Sequence, residues 1–128
     1  MSRNLLAEAI NTIKVGEIAG KRECEVKYSK LIGEVLRVMK EHNYIGDYEF
    51  IDDGKGGKFR VKLIGKINDA KSINPRSPVK ADEWYIYEAR YLPAVGIGIL
   101  IVTTPQGVMT NIEAQKRKIG GRLLAYVY

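Results

Sequence analysis

Apolar residues in this chain change spacing as it proceeds, from every third or fourth position to every second, and the changes mark its elements. Leu5, Leu6, Ala9, Ile10 and Ile13 recur at helical intervals, with Glu8, Asn11 and Lys14 on the other faces. This predicts an amphipathic first helix with Asn4 as its cap. Gly16 and Gly20 bracket a loop, and residues 21–28 alternate charged and apolar side chains as a short edge strand does. Ser29 then precedes a second helix, whose Leu31, Ile32, Val35, Leu36, Val38 and Met39 make a broad apolar face and whose stop is Asn43. From residue 44 the period is two. Residues 44–51 and 58–64 flank Asp52-Asp53-Gly54-Lys55-Gly56-Gly57, a run that favours a hairpin turn. Tyr48 and Phe50 are expected to share a buried face with Phe59, Val61 and Leu63. Asp47 and Glu49 should then meet solvent opposite Arg60 and Lys62.

Residues 65–80 lack a regular period, and Asn74-Pro75-Arg76-Ser77-Pro78 forbids a helix there. In the next segment Trp84, Tyr87 and Tyr91 fit a helix face, whereas Trp84-Tyr85-Ile86-Tyr87 has strand propensity. A short helix over about 82–91, stopped before Pro93, is the favoured reading. Ile97, Ile99, Leu100, Ile101 and Val102 form an almost unbroken apolar strand, covered on both faces. Thr103-Thr104-Pro105-Gln106-Gly107 is a polar turn, and Thr110-Asn111-Ile112-Glu113 fits a capping box opening a short helix. Gln115, Lys116, Arg117 and Lys118 crowd its last turn, where cations suit the helix dipole. Gly120-Gly121 ends that helix before a tyrosine-rich terminal strand. The pattern therefore predicts an α+β chain of two small lobes. An N-terminal αβαββ unit spans 1–66, a linker 67–80, and a mainly β C-terminal lobe with a short helix 81–128.

Composition narrows the functional classes. Lys and Arg number 21 against 15 Asp and Glu, a formal net charge of +6 that favours a polyanionic partner. Cys24 is the only cysteine, so the chain has no internal disulfide, as suits a cytosolic protein. The start, Met1-Ser2-Arg3-Asn4, lacks the apolar core of a secretory signal, and no apolar run is long enough to span a membrane.

Catalytic signals are weak. His42 is the only histidine and falls at a helix end, so neither a histidine-based triad nor a multi-histidine metal site can be built within one chain. Cys24 has no base near it in sequence and reads as a small packed residue. Asp52-Asp53-Gly54 lacks the ligand spacing of a calcium loop, and Gly54-Lys55-Gly56-Gly57 lacks the Lys-Ser/Thr pair of a P-loop. No metal or cofactor is expected. Binding signals are better: Thr103 and Thr104 offer hydroxyls that donate and accept, and Gln106 an amide able to read a base edge. Gly107 and Gly121 permit close backbone approach. The plainer alternative is a strand end and a turn with no ligand.

The run ILIVTTPQGVMTNIEAQKRKIGGRLLAYVY resembles the C-terminal signature of ribosomal protein eight of the small subunit: strand, Ser-Thr-Ser/Thr-x-Gly-Val/Ile-Met, helix, Gly-Gly, terminal strand. LLAEAINTI, SKLIGEVLRVMKEHNYIGDYEFIDDGKGGKF, LIGKIN, PR and RYLPA agree in order, so the resemblance covers nearly the whole chain. YIGDYEFIDDG and RYLP give it an archaeal or eukaryotic flavour. The resemblance implies a structural, non-enzymatic, cytoplasmic protein of the small ribosomal subunit. It would hold a bulged hairpin in the central domain of 16S-type rRNA, support assembly and touch neighbouring ribosomal proteins, with no membrane or small-molecule partner. By position, the family's contact loop falls on Thr103, Thr104, Gln106 and Gly107. Gly120 and Gly121 would let RNA approach, and Asn11, Lys14, Ser29, Lys30 and Arg76 would meet the backbone. Pro105 departs from the Ser or Thr common in the family, which removes one hydroxyl and stiffens the turn. Lys27-Tyr28 stands where a Pro and a small residue often precede Ser29-Lys30, and Lys14 replaces an Asn. The rival reading is a protein-interaction module that docks ribosomal neighbours without an RNA site of its own. A metal-dependent nuclease using Asp52 and Asp53 is a third.

Overall fold

The structure, a computed structural model, describes residues 4–94 and 96–128; Met1-Ser2-Arg3, read above for a secretory signal, lies outside them. The chain forms two compact units, the first ending at Ile67 and the second running Asn68–Tyr128. Helices and antiparallel sheets are mixed in the α+β manner expected.

In unit 1, α1 (Leu5–Ile18) starts at Asn4, whose side chain accepts from the Ala7 N–H at 3.0 Å. Its apolar stripe of Leu6, Ala9, Ile10 and Ile13 is buried. Gly16 is not in a loop but in the buried face of this helix, where an added Cβ would lie 2.8 Å from Leu63 Cδ1. Close packing explains this glycine. An edge strand β1 (Glu23–Lys27) leads to α2 (Lys30–Glu41), capped by Ser29, whose Oγ accepts from the Ile32 N–H at 3.0 Å. Asn43, at φ 63°, takes the left-handed conformation that stops the chain from continuing the helix. β2 (Ile45–Ile51) and β3 (Lys58–Leu63) complete a sheet of order β1-β3-β2.

The hairpin differs from expectation at two residues. A register shift between Ile45 and Tyr48 takes Asp47 out of line with β3, and it pairs instead with Lys40 at 2.9 Å. Glu49 does lie opposite Arg60, 3.4 Å away. Phe50 is 53% exposed rather than buried, because β2 is an edge strand, while its cross-strand partner Phe59 on the central strand is 6% exposed.

In unit 2, β4 (Ala70–Ser72) and β5 (Pro78–Val79) are followed by α3 (Trp84–Tyr91), β6 (Ile99–Thr104), β7 (Gly107–Thr110), α4 (Asn111–Lys116) and β8 (Gly121–Val127). The antiparallel sheet has the order β4-β8-β6-β7, and β5 also pairs with β8. Residues 67–80, expected as a linker, therefore contain two strands. They are too short to show a period, and their partners lie some fifty residues away, Ala70 opposite Val127 and Pro78 opposite Arg122. The ambiguous segment is helical, with Trp84 buried among Leu100, Val102, Met109, Ala114 and Leu123. β6 starts two residues later than expected, leaving Ile97 52% exposed, while Ile99 to Val102 are buried as a doubly covered strand should be.

Candidate nucleic-acid interface

Four strand ends converge at one end of the unit 2 sheet. β6 leaves it at Thr104, β7 enters at Gly107, β8 enters at Gly121, and β5 lies beside β8 with Val79 opposite Gly121. Thr103 sits opposite both Val108 and Arg122. The polar segment expected as a five-residue turn is tighter than that. The ladder continues to the Thr104–Gly107 pair and leaves only Pro105 and Gln106 outside it. Proline has the fixed φ suited to the first turn position, and Gly107, at φ 115°, takes a conformation side chains disfavour.

Thr104 fastens this turn from both sides. Its hydroxyl donates to the Gly107 carbonyl at 2.9 Å and accepts from the Gln106 N–H at 3.1 Å. Thr103 projects from the opposite face of the strand, and its hydroxyl has no hydrogen-bond partner among the described residues. Gln106 is oriented from below: Arg117 Nη1 donates to its Oε1 at 2.9 Å, while Arg117 Nε donates to Glu113 Oε1, also at 2.9 Å. The carboxamide oxygen is thus anchored, and the two N–H donors of Gln106 remain for an acceptor outside. Glu113 serves this relay in place of the second half of a capping box; the first half, Thr110 Oγ1 accepting from the Glu113 N–H, is present at 3.2 Å.

Gly120 and Gly121 come to the same end, but not as a helix stop. α4 finishes at Lys116, and Lys118 makes the reversal at φ 57°. A Cβ on Gly120 would collide with the Val79 carbonyl oxygen, and one on Gly121 with that of Thr103. The sheet itself therefore requires both glycines. Arg122 Nη1 donates to the Arg76 carbonyl at 3.3 Å, which brings Arg76 beside the strand ends. Arg76, Lys80, Lys118 and Arg122 are exposed, with no ion-pair partner among the described residues. Sequence reasoning did not single out Arg117 and Arg122 as site residues. The available signals were the four-residue spacing of Glu113 and Arg117, and the place of Arg122 directly after the glycine pair.

The remaining candidates belong to unit 1. Asn11 is exposed on α1 with Lys14 three residues on, and Lys30 is exposed at the first position of α2. The Ser29 oxygen accepts the capping bond, so its O–H stays available to donate. The groups weighed for catalysis are otherwise engaged. Burial pushes the Cys24 thiol up to about 11, so it is not a thiolate at neutral pH. Asp53 accepts from the Lys55 and Gly57 N–H groups at 2.8 and 3.0 Å, bonds that hold its carboxyl below the usual range, and Asp52 accepts from the Gly54 N–H at 3.0 Å. Both aspartates are turn formers.

Behind the turn, Asn111 ties the frame together. It is 2% exposed; its Oδ1 accepts from the Leu100 N–H at 3.0 Å and its Nδ2 donates to Glu88 Oε1 at 2.8 Å, an oxygen that Gln115 Nε2 also reaches at 2.6 Å. β6, α3 and α4 thereby share one polar junction. Asn111→Ala leaves the buried Leu100 N–H without its acceptor, and a loss of about 1–3 kcal/mol is expected in urea unfolding. A change under about 0.5 kcal/mol would mean that water replaces the amide.

The mixed α+β units thus carry hydroxyl- and amide-bearing strand ends beside unpaired cations at one end of the unit 2 sheet. The family model of Ribosomal protein S8 matches residues 4–128, and the chain belongs to that family. The family comprises structural, rRNA-binding proteins of the small ribosomal subunit, not enzymes. No helix among the described residues is long and apolar enough to cross a membrane.

Proposed function

We propose that this protein holds a bulged hairpin in the central domain of 16S-type rRNA, using the turn between β6 and β7, and so supports small-subunit assembly in the cytoplasm. Thr103, Thr104, Gln106 and Gly107 form the contact, beside the glycine pair Gly120 and Gly121. Arg76 and Arg122 add charge on unit 2, while Asn11, Lys14, Ser29 and Lys30 engage the RNA backbone from unit 1. Neighbouring ribosomal proteins are the other partners, and the protein is of the archaeal or eukaryotic type.

The observation that carries this reading is the pre-set turn. Arg117 fixes the oxygen of Gln106, Thr104 closes the loop, and amide donors are left facing outward. Cations supply affinity that depends on salt but carries no sequence information, whereas fixed donors recognise unpaired bases and shape. A bulge suits such a reader, because the major groove of regular A-form RNA is too narrow for side chains. The test is a binding titration of the hairpin and of a bulge-free version across a salt series. Affinity for both should fall steeply with salt, and the preference for the bulge should persist throughout. Equal affinities that vanish together would reduce the site to a basic surface.

A further inference from the structure

The hairpin end of unit 1 carries a second feature, which the turn in unit 2 does not use. Tyr28 and Phe50 are large aromatic residues left 44% and 53% exposed. Their rings meet edge to face, 5.1 Å between centroids at 78°, so together they form a corner with two perpendicular walls. Both rest on Phe59, which is 6% exposed, with centroids 5.3 and 6.2 Å away. The corner is built into the backbone as well. Phe50 lies where a Cβ on Gly57 would be, and the Tyr28 N–H donates to the Gly57 carbonyl at 3.1 Å.

Beside the corner runs an open cleft lined by Leu5, Lys27, Tyr28, Lys55, Gly56 and Gly57. Lys27 and Lys55 are exposed, and neither has an ion-pair partner among the described residues. The acidic groups of the cleft are answered locally. Glu25 pairs with Lys58 at 3.1 Å and with Arg60 at 3.6 Å, and Asp53 is bound by the N–H groups of its own turn. What remains is a rigid aromatic surface with uncompensated ammonium groups around it.

We propose that this corner stacks an unpaired base of single-stranded RNA, with Lys27 and Lys55 holding the flanking phosphates. Uncompensated positive charge around the aromatic walls complements a polyanionic strand. Aromatic faces combined with a tracking positive charge are how single strands are bound without base-specific hydrogen bonds. The inference extends the RNA-binding reading to a second site, on the other unit, with a different ligand chemistry.

The experiment measures fluorescence anisotropy of labelled hexaadenylate, and of an abasic ribose-phosphate oligomer of equal length, with the full chain. Hexaadenylate should bind at least about tenfold more tightly than the abasic strand. Replacing both aromatics (Tyr28→Ala with Phe50→Ala) should erase that difference while circular dichroism shows the fold intact. Should the double variant not fold, Tyr28→Leu keeps apolar bulk without a π face and should lower the preference, whereas Tyr28→Trp should keep it. Equal binding of the two oligomers by the unaltered chain, or an unchanged preference in the aromatic variants, would overturn the inference. Bulge-dependent binding of the central-domain hairpin is measured separately, so failure here leaves the reading of the β6–β7 turn standing.

Discussion

Trp84→Ala is expected to lower the unfolding free energy by about 3–5 kcal/mol, the largest effect of any substitution considered. Trp84 is 1% exposed at the start of α3, packed in the core that Leu100, Val102, Met109 and Leu123 supply from the sheet. Its indole N–H also donates to the Ile119 carbonyl at 3.1 Å. Truncation removes the ring, leaves a cavity and unpairs that carbonyl, directly before Gly120 and Gly121. Unfolding in urea, followed by circular dichroism, measures the cost. Trp84→Phe separates the parts, since it keeps most of the apolar contact and gives up the hydrogen bond, for about 1–2 kcal/mol. A loss under about 1 kcal/mol for the alanine variant would show that unit 2 does not depend on this core.

Thr104→Ala should weaken binding of the bulged hairpin by about tenfold or more, equivalent to about 1.4 kcal/mol or more, while binding of an unrelated duplex hardly changes. The hydroxyl lost in this variant is the one that closes the turn, to Gly107 on one side and Gln106 on the other. Without it the two-residue loop must be ordered at the moment of binding, so the cost falls on a partner that uses the turn. Duplex binding, carried by cations whose charge does not depend on closure of the turn, does not feel that cost. Thr104→Ser retains the hydroxyl and should restore most of the affinity. A filter-binding titration showing equal losses on both RNAs would contradict the division between recognition and charge.

What the sequence made legible was local. Asn4, Ser29 and Thr110 each cap a helix within three residues of themselves, and each was found by its type and position. The apolar periods of α1 and α2 and the hairpin of unit 1 are likewise set by near neighbours. The turn lies where the sequence puts it but is narrower, since Thr103, Thr104 and Gly107 look like loop residues while pairing as strand. What stayed hidden depends on partners far along the chain. Pro78 and Val79 have no strand pattern of their own and become β5 only because Gly121 and Arg122 lie beside them. Gly120 looks like a helix stop until the Val79 carbonyl is seen against it. Asn111 reads as a capping-box residue, and nothing in its neighbourhood says that the Leu100 amide, eleven positions earlier, needs its oxygen. The Gln106–Arg117 contact was hidden in the same way.

α4 acts as a ruler. Its first residue, Asn111, is fastened to the middle of the sheet, and just past its last residue Arg117 reaches the turn. The distance between those anchors is set by a count of residues, about 1.5 Å of rise and about 100° of rotation for each. A single insertion or deletion in this helix would swing Arg117 a quarter-turn or more away from Gln106, even if every side chain kept its chemical character. Exposed Ile112 and Lys116 carry none of the bonds of this frame, whereas the number of residues between Asn111 and Arg117 sets its reach.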